Sequence, residues 1–252
     1  MNLDGARCLV VGGARRLGRQ IALGLAAGGA AVCISSRGQD DALDGTLGQL
    51  ELAGAAAATA VRGDVREPSS AAALVAAAAR TLGGLDVLVF AASGPFVPQP
   101  PEAIDEATWD ASLDTIAKGF FFAACEAHGV FVERPAALAE RGVVVAITDY
   151  LGLHPWAAFA AHGAAKAAQI HLVKELARAW ANDGVRVCGV APGPVDLEDD
   201  EHRAATLRAA AKTESERLVT PQQVVAAVRL CIENEGMTGI NVVVDAGSLL
   251  SS

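Results

Sequence analysis

VVGGARRLGRQIA, residues 10–22, decides how the rest of the chain is read. A short apolar run, ARCLVVG (6–12), passes through clustered glycines into RLGRQIALGLAAGG (16–29), which carries a helical pattern. A strand that turns on glycine straight into a helix gathers backbone N–H groups and the positive helix end at one point. Such a point can hold a pyrophosphate. A lone glycine cluster is a weak signal; what strengthens this one is its place on the first strand–helix turn of an alternating chain. Outward from it, AAVCISS (30–36), AAAATAVRG (55–63), LDVLVFAAS (85–93), RGVVVAIT (141–148), VRVCGVAP (185–192) and GINVVVDAG (239–247) read as strands. Between them, 41–54, 69–82, 106–131, 156–182 and 221–234 read as helices.

Seven strands alternating with helices predict an α/β fold, a single doubly wound domain with a seven-stranded parallel sheet flanked by helices. Nearly continuous apolar strands fit a sheet covered on both faces. One segment breaks the composition. VDLEDDEHRAATLRAAAKTESER (195–217) is charged and follows the C-terminal end of a strand, the edge where ligands bind in such sheets. It is a candidate lid, with a solvated surface helix as the equal alternative.

The bulk numbers set the class. Of 252 residues, 52% are apolar and 19% charged, so a packed core is expected. A net charge of −9 argues against nucleic acid and against an anionic membrane surface as partners. No stretch is read as approaching the roughly 20 apolar residues of a membrane span. The first apolar run (Cys8 to Val11) ends in a turn that the fold can use, so it is not read as a signal peptide. Five cysteines occur without a CxxC pair, and Cys8, Cys33 and Cys188 fall in predicted strands. They imply reduced core thiols in a cytoplasmic protein, with no metal site and no disulfide.

The second strand ends in ISSR, where an NAD-binding chain usually carries an acidic residue. Ser35, Ser36 and Arg37 suit a 2′-phosphate through charge-assisted hydrogen bonds, and Arg15 and Arg16 can add to that pocket. NADP(H) is therefore expected over NAD(H). Asp64, in GDV after the third strand, is placed either to accept a hydrogen bond from an adenine amino group or to sit in a helix N-cap region.

Taken in order, these segments resemble the short-chain dehydrogenase/reductase family, whose fold is Rossmann-type. VGGARRLG matches that family's TGxxxGxG turn, with Val11 for threonine and Arg16 for the middle glycine. GDV, LVFAAS, VVVAITD, HGAAK, VAPGPV and MTGINVVVDAG follow at the family's spacing, so the resemblance spans 1–252 as one domain. It implies cofactor contacts from the turn (Gly12, Arg15, Arg16, Leu17, Gly18), from Ser36 and Arg37, and from Asp64 and Val65. Ala91, Ala92, Lys166, Pro192, Gly193 and Val195 complete that set. Arg16, Ser93 and Asp149 are the residue types of the family's pteridine-reductase-like branch.

The departures bear on chemistry. The family's proton donor is a tyrosine four residues before a lysine; here Lys166 is preceded by His162. Tyr150, the only tyrosine, has no lysine four residues on. The family serine, thirteen positions before that tyrosine, aligns with Asp149, and the asparagine of NxxG aligns with Ile116. NNAG reads Phe90-Ala91-Ala92-Ser93. The tetrad is thus degenerate, with only the lysine kept. Histidine can carry a proton. An imidazole, however, reaches less far than a phenol, and about 1 Å of misplacement can cost roughly 10²-fold. Asp149, if ionised, opposes charge growing on a carbonyl oxygen; if burial raised its pKa it would donate a proton instead. A quieter arrangement has His162 simply packed and Asp149 paired with Lys166.

Three functions follow. The first is a catalytically impaired subunit that stabilises an active short-chain dehydrogenase/reductase in a hetero-oligomer, its dinucleotide binding weakened or lost. The resemblance implies pairing through helices 106–131 and 156–182, on which Trp109, Phe120, Phe121, Phe122 and Trp156 lie. The second is an NADP(H)-dependent oxidoreductase on a carbonyl, hydroxyacyl or pterin-like substrate, with catalytic His162, Asp149 and Lys166. The third is a non-redox lyase or isomerase using an Asp149–His162 pair.

Overall fold

A computed structural model describes residues 1–38, 41–94, 96–134, 140–197 and 217–250. Its strands are β1 (Arg7–Val11), β2 (Ala31–Ser36), β3 (Ala57–Arg62), β4 (Val87–Phe90), β5 (Gly142–Ile147), β6 (Val185–Pro192) and β7 (Asn241–Val244). They form one parallel sheet in the order β3-β2-β1-β4-β5-β6-β7. The helices are α1 (Arg16–Ala26), α2 (Asp41–Leu52), α3 (Pro68–Leu82), α4 (Glu106–Val132), α5 (Ala160–Trp180) and α6 (Pro221–Glu233).

Side chains alternate faces along a strand, and here both faces are apolar. Cys8 and Val10 of β1 join Ile34, Val89, Val145 and Val190 under α1, α2 and α6, against Ile21, Leu25, Leu50 and Val228. Leu9 and Val11 join Leu88, Phe90, Val144 and Val187 on the opposite face, against Leu74 of α3, Phe120 and Phe131 of α4 and Val173 of α5. Among the described residues, three helices on each face make the sheet doubly wound, as the strand composition predicts. Alanines at Ala71, Ala78, Ala123, Ala124 and Ala127 let α3 and α4 approach closely. β1 pairs with β2 on one side and β4 on the other, so the winding reverses between β1 and β4. A crevice opens there, at the C-terminal strand ends.

Several boundaries differ from the sequence pattern for local reasons. The second long helix begins at Ala160, because Trp156 is extended and Ala157–Phe159 form a 3₁₀ turn. β4 is shorter than 85–93: Asp86 turns its carboxylate to Arg7, and beyond Phe90 the chain leaves for the crevice rim. Inside α4, Asp114–Lys118 is a π turn. Among the described residues α4, at 27 residues and mean hydropathy 1.2, is long and apolar enough by length and composition to cross a membrane. That corrects the expectation that no stretch comes close. Its Phe120, Ala123, Ala124, Ala127 and Phe131 are buried against the sheet and α3. Of the candidate lid, 198–216 lie outside the described residues. Its ends meet at the crevice, where Asp196 N–H donates to Val219 O at 2.8 Å and Val219 N–H to Pro194 O at 2.9 Å.

Far from the crevice, one carboxylate ties three elements. Asp86 accepts from Arg7 Nε at 2.7 Å and pairs with Arg134 at 2.6 Å. Burial pushes this carboxyl up, but hydrogen bonds from Arg7 and the charges of Arg7 and Arg134 more than reverse that and hold it below the usual range. A depressed carboxylate stabilises above its unfolded pKa and loses that contribution as pH falls through the folded value. Asp86→Asn should therefore cost about 1–3 kcal/mol at pH 7. The gap to wild type should narrow below about pH 4 in urea unfolding curves; a gap independent of pH would contradict this.

Candidate active site

The crevice is a cleft of about 970 Å³. Its floor is the β1–α1 turn. Gly12 has φ +79°, and a Cβ there would lie 2.9 Å from Ala92 N. A Cβ on Gly18 would lie 2.1 Å from the Gly12 carbonyl oxygen. Only glycine fits at either place. Arg16 also takes positive φ, 50°, where the family pattern has its middle glycine. The N-cap of α1, Arg15, makes no side-chain cap and the first turn carries no acidic residue, so the helix N-terminus keeps backbone donors for an anion.

Every residue expected to touch cofactor lines this cleft: the turn from Gly12 to Gly18, Ser36 and Arg37, Asp64 and Val65, Ala91 and Ala92, Lys166, and Pro192, Gly193 and Val195. Ser35 also lines the cleft; it is buried, and its hydroxyl accepts from Gly12 N–H at 3.2 Å, so it braces the glycine turn. Asp64 lies in the N-cap region of α3: Glu67 is the N-cap itself, and Asp64 Oδ1 accepts from Arg66 N–H at 3.0 Å. The guanidinium of Arg66 spans both Asp64 oxygens, with Nε 3.0 Å from each, and holds that carboxyl below the usual range. The cleft's size, its uncapped helix end and the arginines beside it fit a dinucleotide.

At the other end β5 delivers Thr148 and Asp149, and α5 delivers His162 and, one turn on, Lys166. Asp149 Oδ1 accepts from Leu151 N–H at 2.9 Å, and Oδ2 lies 3.3 Å from His162 Nε2. His162 is 4% exposed. Its ring meets Phe96 edge to face at 4.9 Å, and Nδ1 is buried with no partner among the described residues. Lys166 Nζ donates to Ile147 O at 2.7 Å and to Gln169 Oε1 at 3.3 Å. Asp149 therefore pairs with His162, not with Lys166 as the quiet arrangement had it. Tyr150 also lines the cleft; burial, then the charges of Asp149 and Asp245, push its phenol up, so it stays protonated.

Among the lining residues that escaped the sequence pattern are Thr115, Phe96, Trp156 and Phe159. Ile116 is fully buried, and the neighbouring Thr115 of the π turn lines the cleft instead. Phe96, Trp156 and Phe159 form an aromatic wall beyond His162. An apolar residue in an unassigned loop carries no periodic signal, and Trp156 and Phe159 were assigned to a helix that starts after them.

Residues 6–207 match the family described as short chain dehydrogenase. The chain belongs to that family. Short-chain dehydrogenases similar to it include 3beta-hydroxysteroid dehydrogenase 1 of Eggerthella lenta, 31% identical over 99% of this chain and 95% of that one. Cis-4-hydroxycyclohexanecarboxylate dehydrogenase of Sinomonas cyclohexanicum is 33% identical over 95% and 94%. Among solved structures, a short chain dehydrogenase from Burkholderia cenocepacia J2315 in complex with NADP superimposes with a TM-score of 0.86 at 27% identity, covering 99% and 100%.

Within this short-chain dehydrogenase, burial strongly alters Lys166. Burial lowers its pKa from 10.5 to about 8, partly offset by the charge of Asp149. Between those values the folded chain binds fewer protons than the unfolded one, so stability rises with pH across that window. Below about 8 the cost of the buried ammonium is fully present. Relative to Lys166→Met, the wild type should gain stability from pH 8 to 10 in urea unfolding. Parallel pH profiles would refute a buried, titrating amine.

Proposed function

We propose that the chain is an NADP(H)-dependent oxidoreductase interconverting an alcohol and a carbonyl, with His162 moving the proton. One observation carries this: His162 lines the cleft with its Nε2 3.3 Å from the Asp149 carboxylate. The neutral ring can take a proton from an alcohol hydroxyl, and the Asp149 carboxylate then faces the imidazolium that forms. In reduction the imidazolium returns that proton to the carbonyl oxygen. Bound NADP⁺ would accept the hydride from the carbinol carbon. The Lys166 ammonium lies one helical turn from His162 and favours negative charge on the reacting oxygen. Ser36 and Arg37, with no acidic residue ending β2, support NADP(H) over NAD(H), as does the NADP held by the Burkholderia structure.

The impaired-subunit alternative has the missing phenol in its favour, while the curated relatives described above are named as dehydrogenases. Members of the family are commonly oligomeric, and Trp109 and Phe122, both exposed on α4, suit a contact between copies. The pteridine-reductase-like assignment rests on Arg16, Ser93 and Asp149, all lining the cleft. A lyase or isomerase would use the same Asp149–His162 pair but leave nicotinamide absorbance unchanged.

His162→Ala should lower kcat by about 10²–10⁴-fold with NADPH affinity kept. Arg37→Ala should weaken NADPH at least about tenfold, the loss of a charge-assisted contact, and leave NADH nearly unmoved. Stopped-flow turnover and fluorescence titration read both. Turnover indifferent to replacing His162 and Asp149 together would sink the assignment. A purified chain with no nicotinamide-linked turnover would point back to an impaired subunit.

A further inference from the structure

Helix α5 packs an apolar face into the fold, with Ala165, Ile170, Val173, Leu176, Ala177 and Trp180 all buried. Gln169 stands in that stripe and is 0% exposed. An amide taken out of water into such surroundings is costly unless a partner answers it. The partner is Lys166, three residues back on the same helix face. Lys166 Nζ donates to Gln169 Oε1 at 3.3 Å and to Ile147 O at 2.7 Å. Both acceptors are neutral. The carboxylate whose charge reaches Lys166, that of Asp149, is engaged by His162 Nε2 and by Leu151 N–H. Tyr150 follows it out of β5 and stays protonated, and His162 lies one turn back on α5. The π turn of α4, which packs against α5, brings Asp114 and Lys118, and these pair with each other at 2.7 Å.

We propose that Gln169 is a positioning residue for Lys166: its side-chain oxygen takes one ammonium hydrogen, Ile147 O takes a second, and a third can serve the cleft that Lys166 lines. The inference deepens the role given to Lys166 above and rests on it. A neutral acceptor steadies an ammonium without cancelling its charge, whereas a carboxylate in the same place would tie that charge into a local ion pair. Burial drives this amine toward its uncharged form. A hydrogen bond accepted from the charged form works in the other direction. Gln169 therefore sets how far up the pH scale the ammonium survives to face an oxygen gaining negative charge. Being fully buried, Gln169 acts on the reaction through that amine.

The test reads Lys166 directly. The lysines of the chain are Lys118, Lys166, Lys174 and Lys212, few enough for NMR with isotope-labelled lysine to resolve each ε-methylene, that of Lys166 being the one lost in Lys166→Met. In the full chain its titration should centre at about pH 8. Gln169→Met keeps the length and the apolar fit but loses the oxygen. The midpoint should then fall by about one pH unit, a roughly tenfold change in proton affinity. Gln169→Glu keeps an oxygen and adds a charge, so the midpoint should rise by about one unit or more. In the wild type the Gln169 side-chain amide signals should shift with the Lys166 midpoint, which reads the contact even where Gln169→Met does not fold. Oxidation of 1-phenylethanol with saturating NADP⁺ supplies the kinetic reading. There His162 must be neutral to take the proton, so the alkaline limb of kcat belongs to Lys166 and should follow its midpoint in each variant. A midpoint unmoved in either folded variant, or wild-type Gln169 signals blind to the Lys166 titration, overturns the inference. So does a kcat limb that ignores moved midpoints, because the contact would then be structural. Moved midpoints in a chain that forms no NADPH support the Gln169–Lys166 assignment and count against the hydride-transfer role. NADPH formation with unmoved midpoints does the reverse.

Discussion

A backbone approach closer than any side chain permits lies under everything else in this molecule. Gly18 of α1 rests against the Gly12 carbonyl, and Gly12 rests against the backbone after β4. These contacts press the start of α1 onto the C-terminal edge of the sheet at the point where the winding reverses. The uncapped N–H groups of α1 consequently open into the cleft. Ser35, from the neighbouring strand, secures the turn from below by accepting the Gly12 N–H. A methyl group at either glycine would move α1 away from the sheet and separate the two ends of the site.

Much of this was legible beforehand, because the signals are periodic or local. Strands such as VLVF and GVVVAI can be buried on both faces only in a covered parallel sheet. The glycine turn follows from its position between strand and helix. Residues at strand ends, among them Arg37, Asp64, Ala92 and Gly193, then fall on one edge whatever the details of packing. What stayed hidden depends on three dimensions. Arg66 claims the Asp64 carboxylate through a contact that only the loop conformation reveals. Ser35 and Ser36 both line the cleft, but only the fold shows that the Ser35 hydroxyl is taken up by Gly12 N–H. The π turn at Asp114–Lys118 buries Ile116 and leaves Thr115 on the cleft. The aromatic wall is assembled from two segments more than fifty residues apart in the chain, joined by the Gln99–Ala158 backbone hydrogen bond and the Phe96–Phe159 stack.

The two departures from the family's catalytic pattern make better sense together than singly. A phenol in this position is neutral when protonated, and a neighbouring serine can serve it without any charge. An imidazole that takes up a proton becomes a cation, and His162 would do so almost out of reach of water and one turn from the Lys166 ammonium. Two like charges so placed are costly unless an anion faces them. Asp149 supplies that anion 3.3 Å from Nε2, anchored by Leu151 N–H so that it cannot swing toward the lysine. An aspartate beside a phenol would oppose the charge growing on the reacting oxygen, whereas beside an imidazolium it is the counter-charge. Histidine in place of tyrosine thus creates the need that aspartate in place of serine meets. A proton relay of the kind proposed would need that complementarity.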